Sequence, residues 1–291
     1  MRKRFIATLG ITVCFVGLYG LLRNLPSEQC SALHYQVTKE TANGVEMCST
    51  GPAGLVDLER VRFPGDLQLY SPSEGEAGKR YEGHMAISGP GGAALLPHEI
   101  AITHAAKIHM MIVHESLADY HHLHPQPLGS TGEWTFDFTP RLPGTYHMYA
   151  ECVPLLTKKQ LIVNNSLKIA GSPVIETNPS VQKDLHILWD FKDATPEAGS
   201  RTDFMIGLEN TKHTPIPLEE FMDAYSHVVA FRRNSVGYAH IHPLSTELPA
   251  DASKPEFAFT FYTGEPGQYR LWAQFQIGGQ SVFMPYDIDV R

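Results

Sequence analysis

Fifteen histidines occur in this sequence, and seven of them lie between His98 and His124. Their spacing is more telling than their number. One residue separates His122 from His124, and one separates His240 from His242. On an extended strand residues i and i+2 point the same way, with backbones about 6–7 Å apart, so each pair can bring two imidazoles to one metal ion. A third imidazole follows from a hairpin. His109–Val113 and Tyr120–His124 read as consecutive strands, and opposed residues of an antiparallel pair share a face at a constant index sum. A turn centred on Ser116-Leu117 makes that sum 233 and sets His109 opposite His124. The turn signal Asn234-Ser235 makes it 469 and sets His227 opposite His242.

The expectation is two His₃ metal sites, one from His109, His122 and His124, the other from His227, His240 and His242. A register slip of one residue would turn His109 or His227 to the other face. Three neutral imidazoles suit Cu²⁺ or Zn²⁺; methionine sulfur would favour Cu⁺. Met148 is near in sequence, and strand parity admits Met111 but turns Met110 away. From the residues alone copper and zinc both stay open. His98, His104, His114, His121 and His147 lack matching histidines and are read as surface residues or as particular to one repeat. His34 stands alone.

Catalytic patterns are missing. The sequence has no Gly-x-Ser-x-Gly elbow, no Gly-rich phosphate loop and no His-Glu-x-x-His. Glu115 and Asp119 lie in the hairpin turn and Glu133 is distant, so no carboxylate recurs beside both histidine sets. A metal-dependent enzyme is the least favoured reading. Cys152 has no following His or Met at blue-copper spacing, and its counterpart Phe275 marks it as a small buried hydrophobe.

The elements that position these histidines come from a duplication. HMMIVHESLADYHHLHP (His109 to Pro125) aligns without gaps with HVVAFRRNSVGYAHIHP (His227 to Pro243). Trp134–Phe138 matches Phe257–Phe261, Pro143-Gly144-Thr145-Tyr146 matches Pro266-Gly267-Gln268-Tyr269, and Glu76–Arg80 matches Glu197–Arg201. Trp134, Phe136 and Phe138 alternate with smaller residues, as do Phe257, Phe259 and Phe261, the pattern of half-buried strands. Each Pro-Gly turn leads to a further strand, Tyr146 to Cys152 or Tyr269 to Gln276. Pro125 and Pro243 are expected to end their strands, since proline donates nothing to a ladder. Only Pro217 to Ala224, PLEEFMDA, reads as a short helix. A repeat of about a hundred residues is the size of an immunoglobulin-like sandwich.

The closing segments, such as PGQYRLWAQFQIGGQSVFMPYDIDV, resemble the last strands of exported bacterial immunoglobulin-like modules of the YtkA-like kind. The histidine hairpin resembles secreted proteins associated with copper handling. The resemblance covers about 70 residues of each repeat and implies an immunoglobulin-like sandwich with a metal role. It carries over no catalytic residue.

Arg2, Lys3 and Arg4 precede an uncharged, mainly apolar run from Phe5 to Leu22. About 18 apolar residues is the lower edge for spanning a bilayer and is long for a cleaved signal peptide. An uncleaved signal anchor is favoured over a cleaved peptide, with the basic end held in the cytoplasm and the bulk of the chain exported to the periplasm or cell surface. Cys30 and Cys48 bracket a polar segment and are expected to form a disulfide there, worth about 3 kcal/mol by loop entropy. A net charge of −8, with no basic cluster beyond the N-terminus, excludes a nucleic-acid surface. Charged residues make up 19% and hydrophobic ones 43%, which excludes wholesale disorder.

The sequence therefore reads as an all-β chain. It has a signal anchor or peptide (residues 1–25), a small Cys-containing cap or stalk (26–65) and two tandem immunoglobulin-like β-sandwich domains (66–172 and 173–291). Its expected function is to bind a transition metal outside the cytoplasm for storage, delivery or resistance. The alternative is a non-catalytic interaction module or accessory subunit packing against a membrane-protein partner.

Overall fold

The computed structural model describes residues 10, 12–19, 35–41, 44–49, 53–72, 74–174, 184–191, 195–212 and 214–291. Contacts divide the chain into Met1–Cys30 and Ser31–Arg291. In the first unit residues 12–19 are helical and exposed. Among the described residues no helix is long and apolar enough to cross a membrane. Much of the run from Phe5 to Leu22 lies outside the described residues, as do Cys30 and the side chain of Cys48 and therefore the expected disulfide.

The second unit is almost wholly β. In chain order its strands are β1 (Tyr35–Thr41), β2 (Gly44–Ser49), β3 (Ala53–Gly54), β4 (Val56–Asp57), β5 (Asp66–Ser71), β6 (Glu74–Glu76), β7 (Tyr81–Ser88), β8 (His109–His114), β9 (Tyr120–Leu123), β10 (Gln126–Pro127), β11 (Glu133–Phe138), β12 (Gly144–Cys152), β13 (Leu161–Ala170), β14 (Leu185–Asp190), β15 (Arg201–Asn210), β16 (Leu218–Glu219), β17 (His227–Arg232), β18 (Gly237–Ile241), β19 (Glu256–Tyr262), β20 (Gly267–Ile277) and β21 (Gln280–Val290).

Each repeat is a two-layer sandwich. In the first, the sheet β10-β11-β7-β5 faces the sheet β6-β13-β12-β8-β9; in the second, β14-β15-β19-β3 faces the sheet containing β16, β21, β20, β17, β18 and β4. Alternation builds the cores, since each strand sends every second side chain inward. Trp134, Phe136 and Phe138 fill the first core with Met110, Ile112, Met148 and Cys152. Phe257, Phe259 and Phe261 fill the second with Val228, Ala230, Leu271 and Phe275. Burial pushes the Cys152 thiol up to about 12, so the group is a neutral hydrophobe at physiological pH.

The opposite faces of β8 and β17 are buried too. Met111, Val113, Tyr120, Tyr149 and Ile162 of the first repeat form a third apolar cluster with Val229, Phe231, Tyr238 and Trp272 of the second. The two histidine-bearing sheets therefore pack against each other. Trp272 is central: its ring stacks on Tyr120 at 5.8 Å and its Nε1–H donates to the Leu117 carbonyl at 3.2 Å. Trp272→Ala is expected to cost about 3–5 kcal/mol. Because Trp272 faces away from the second core, the loss should fall on the docking of the repeats, and urea unfolding should split into two transitions.

The segment before the first sandwich is more than a cap. The β1–β2 hairpin rests on the first repeat, where Met47 packs with Ala101 and Val153 and its N–H donates to Ile102 O. The chain then crosses to the second repeat. There β3 adds in parallel to β19 and β4 adds antiparallel to β18, before β5 returns to the first sandwich. Gly237 permits this crossing: its φ is +149°, and a Cβ there would lie 2.0 Å from the Val56 carbonyl oxygen.

PLEEFMDA is not helical. Leu218–Glu219 pairs with β20, and Phe221 bridges Ala224 in a tight turn with Met222 and Asp223 at positive φ. Thr103–Ala106 makes the equivalent turn in the first repeat, with His104 and Ala105 at positive φ. Repeat symmetry, not local propensity, sets this conformation.

Candidate metal centre

Hairpin register sets the histidines. Met111 opposes His122 and Met110 opposes Leu123 in β8–β9; Val228 opposes Ile241 and Val229 opposes His240 in β17–β18. These are the expected registers, and they place His109, Met111, His122 and His124 on one face. β9 ends at Leu123 and β18 at Ile241. Beyond each proline the chain joins the opposite sheet, through β10 in the first repeat and a Pro243–Phe259 bridge in the second.

Docking of the two sheets then merges what the sequence reading kept apart. The two triads are not separate sites in the structure; they abut in one cluster shared between the repeats. His109, His122 and His240 each present one nitrogen, and these atoms all lie within 4.8 Å of one another. His109 Nδ1 also meets His124 Nε2 at 3.2 Å. His240 and His242 have ring centres 4.5 Å apart, and His227 lies 5.0 Å from His242 and 6.0 Å from His240. All six expected residues thus belong to the cluster. A seventh, His104, stacks on His242 at 3.7 Å; it is particular to the first repeat, as expected, but belongs to the cluster rather than to the surface. His114 is structural, bonded to Ser116 Oγ and the Pro143 carbonyl.

The surrounding groups fix the rings. His240 Nδ1 is 2.6 Å from Glu151 Oε1, so it carries the hydrogen, and its Nε2 is left buried without a partner. His122 Nδ1 donates to Gln274 Oε1 at 3.0 Å, and its Nε2 is likewise without a partner. Glu151 precedes Cys152 as Gln274 precedes Phe275, so each repeat orients the other's histidine from the same strand position. His109 Nε2 donates to the Thr103 carbonyl at 2.8 Å, leaving Nδ1 as the lone-pair nitrogen. Outer-shell acceptors of this kind fix the tautomer and raise ligand basicity in histidine metal sites.

Electrostatics favour the neutral, ligating form of six of the rings. Burial first, then the neighbouring imidazoles, push His109, His122, His227 and His242 well below the ordinary imidazole value. Burial lowers His104 and His124 to about 4. Burial works against the charge of Glu151, but the His240 ring and the Tyr238 hydroxyl, 2.6 Å away, outweigh it and hold the carboxyl below its usual range. A cleft of about 510 Å³ borders His122 and His124 and is lined by Arg80, His84 and Phe221.

The sequence reading missed Glu151 and Gln274, although the Cys152–Phe275 match placed them on the outward parity of β12 and β20. Three imidazoles whose nitrogens converge at a buried point fit a borderline transition metal. The donor nitrogens of a tetrahedral ion lie about 3.3 Å apart, and those of the trio lie within 4.8 Å of one another.

Fold and site together define an all-β protein of two related repeats with a histidine cluster between them. Residues 66–166 and 181–291 each match the family described as Domain of unknown function (DUF8832), and the chain belongs to that family. No curated protein matches. Among solved structures the chain is similar to a Salmonella alpha-2-macroglobulin mutant (12% identity, TM-score 0.26), covering 88% of this chain and 17% of that one. It is similar also to a DUF4785 family protein from Legionella pneumophila (10% identity, TM-score 0.26), covering 78% of this chain and 55% of that one. A third similarity is to the fibronectin(III)-like modules of Clostridium thermocellum CbhA (10% identity, TM-score 0.19), covering 77% of this chain and 92% of theirs. The chain thus spans well under two thirds of the first two, and at these scores none bears on function.

Proposed function

We propose that this chain is an exported, non-catalytic protein of two immunoglobulin-like sandwiches that binds a transition metal, copper before zinc, for storage, delivery or resistance. The observation that carries this reading is the convergence of His109, His122 and His240 on a buried point where two Nε2 atoms have no hydrogen-bond partner. An interface built only for cohesion would not need this. Met111, Tyr120, Tyr238 and Trp272 already supply an apolar contact, and each buried polar group left unpaired costs about 1–3 kcal/mol. A bound ion removes that cost. Met111, opposite His122 on the same face, supports copper. The basic-then-apolar N-terminus supports export, and the closing-strand motifs support the likeness to YtkA-like modules.

When bound, the metal supplies a coordination centre joining the two sheets. His109, His122 and His240 are the rings within reach of it, while Glu151 and Gln274 would orient two of them. The full chain, purified in detergent, is expected to retain copper or zinc through gel filtration and metal analysis. His122→Ala combined with His124→Ala should lower retention at least tenfold while the circular dichroism of the sandwiches persists. A wild-type chain that loses both metals on desalting would defeat the proposal.

A further inference from the structure

One ion does not use this cluster up. Beyond His109, His122 and His240, four more histidines crowd the same pocket. The most telling is His227, 1% exposed and with both ring nitrogens lacking a hydrogen-bond partner. Its counterpart His109 spends one nitrogen on the Thr103 carbonyl and presents the other to His124. A neutral imidazole buried without either bond is costly, and the second repeat provides His240 and His242 beside it.

Resting on the metal-binding reading above, we propose that the centre takes two ions. One is held by His109, His122 and His124, the other by His227, His240 and His242, face to face across the approximate twofold relation of the repeats. Three imidazoles on one tetrahedral ion place their ring centres about 5 Å apart. The first triad has separations of 4.7, 5.6 and 5.7 Å. The second has 4.5, 5.0 and 6.0 Å. Both sets have ring-centre separations near that value, as does the mixed trio of His109, His122 and His240 at 5.0, 5.5 and 5.7 Å. His122 and His240 stand where the triads meet, 5.0 Å apart, so the two ions are neighbours. His240, a ligand of the second ion, also lies within reach of the first.

Two neighbouring dications need compensating charge. Glu151 is the carboxylate that touches the cluster directly, through His240, and Gln274 is its neutral mate. The second ion therefore sits on the carboxylate-supported triad, and the first on the amide-supported one. Two copper(I) ions would need less compensation than two copper(II) ions.

Stoichiometry tests this separately from the parent reading. The full chain, loaded with excess Cu²⁺ and desalted, is expected to hold two ions, and electron paramagnetic resonance should show loss of isolated-ion signal through coupling between neighbours. His227→Gln should drop the count from two to one and restore an isolated-ion spectrum. One ion in the wild type, or two uncoupled ions, would overturn the binuclear proposal while leaving metal binding intact; no ion at all would remove both. A single ion in wild type whose retention His227→Gln weakens would instead make His227 the fourth ligand of one closed site, again overturning the proposal.

Discussion

Glu151→Ala is expected to unfold this protein more readily than removal of any single histidine, and to empty the site. The carboxylate lies in the seam between the repeats and accepts from three groups: His240 Nδ1 at 2.6 Å, the Tyr238 hydroxyl at 2.6 Å and Gln160 Nε2 at 3.0 Å. Removing it strands two buried donors of the second repeat and a half-buried one of the first. Each buried donor left without its acceptor costs about 1–3 kcal/mol. His240 also loses the acceptor that fixes its tautomer, which typically lowers metal affinity 10–100-fold. Glu151→Gln separates the two effects. It reproduces what the first repeat's His122 already receives from Gln274, so most of the stability should return, while affinity stays reduced because the negative charge is gone. Urea unfolding read beside metal retention checks both. Equal metal affinity in the glutamine and wild-type chains would show that the carboxylate is only structural.

That pair of residues also shows where sequence reading stopped. The hairpin registers were legible because turn position alone sets a constant sum, and the sums of 233 and 469 hold in the ladders. The sharing of a face by His109, His122 and His124 was legible from parity. What faces that surface was not. Strand β8 is buried at every position from His109 to His114, and β17 nearly so. An unbroken apolar run of that kind is the mark of a strand covered on both sides. HMMIVH and HVVAF carried the signal, and it was read only as a strand. With the outward face covered by the sister repeat, two sites become one cluster, and Glu151 and Gln274 move from surface positions to the seam. His104 was beyond reach for another reason: a turn brings it in, and its counterpart in the alignment is Met222. The strands Ala53–Gly54 and Val56–Asp57 are too short for any periodicity, and the second sandwich, not their own sequence, makes them β.

Asp119→Ala should match the Glu151 effect on stability while leaving metal binding by the folded chain alone, so the two variants bracket the site. Asp119 is fully buried in the first repeat. Its Oδ1 accepts from Arg141 Nε at 2.7 Å, and its Oδ2 accepts from the Arg141 N–H at 2.8 Å and from the Tyr146 hydroxyl. His121 Nε2 lies 3.3 Å away. Burial alone would raise its pKa, but the His121 ring, the Tyr146 hydroxyl and the Arg141 N–H together hold it well below the ordinary carboxylate value. A carboxyl depressed on folding adds stability that is present above its unfolded pKa of about 3.9 and is lost as pH falls from there toward the folded value. At neutral pH, Asp119→Ala should cost about 3–5 kcal/mol, seen as a lower urea midpoint by tryptophan fluorescence. Below about pH 4 the gap between wild type and variant should narrow, because the wild type is then losing what the variant never had. A gap that stays constant down to pH 2 would mean that side-chain packing, not the ionised carboxylate, ties the hairpin turn to Arg141.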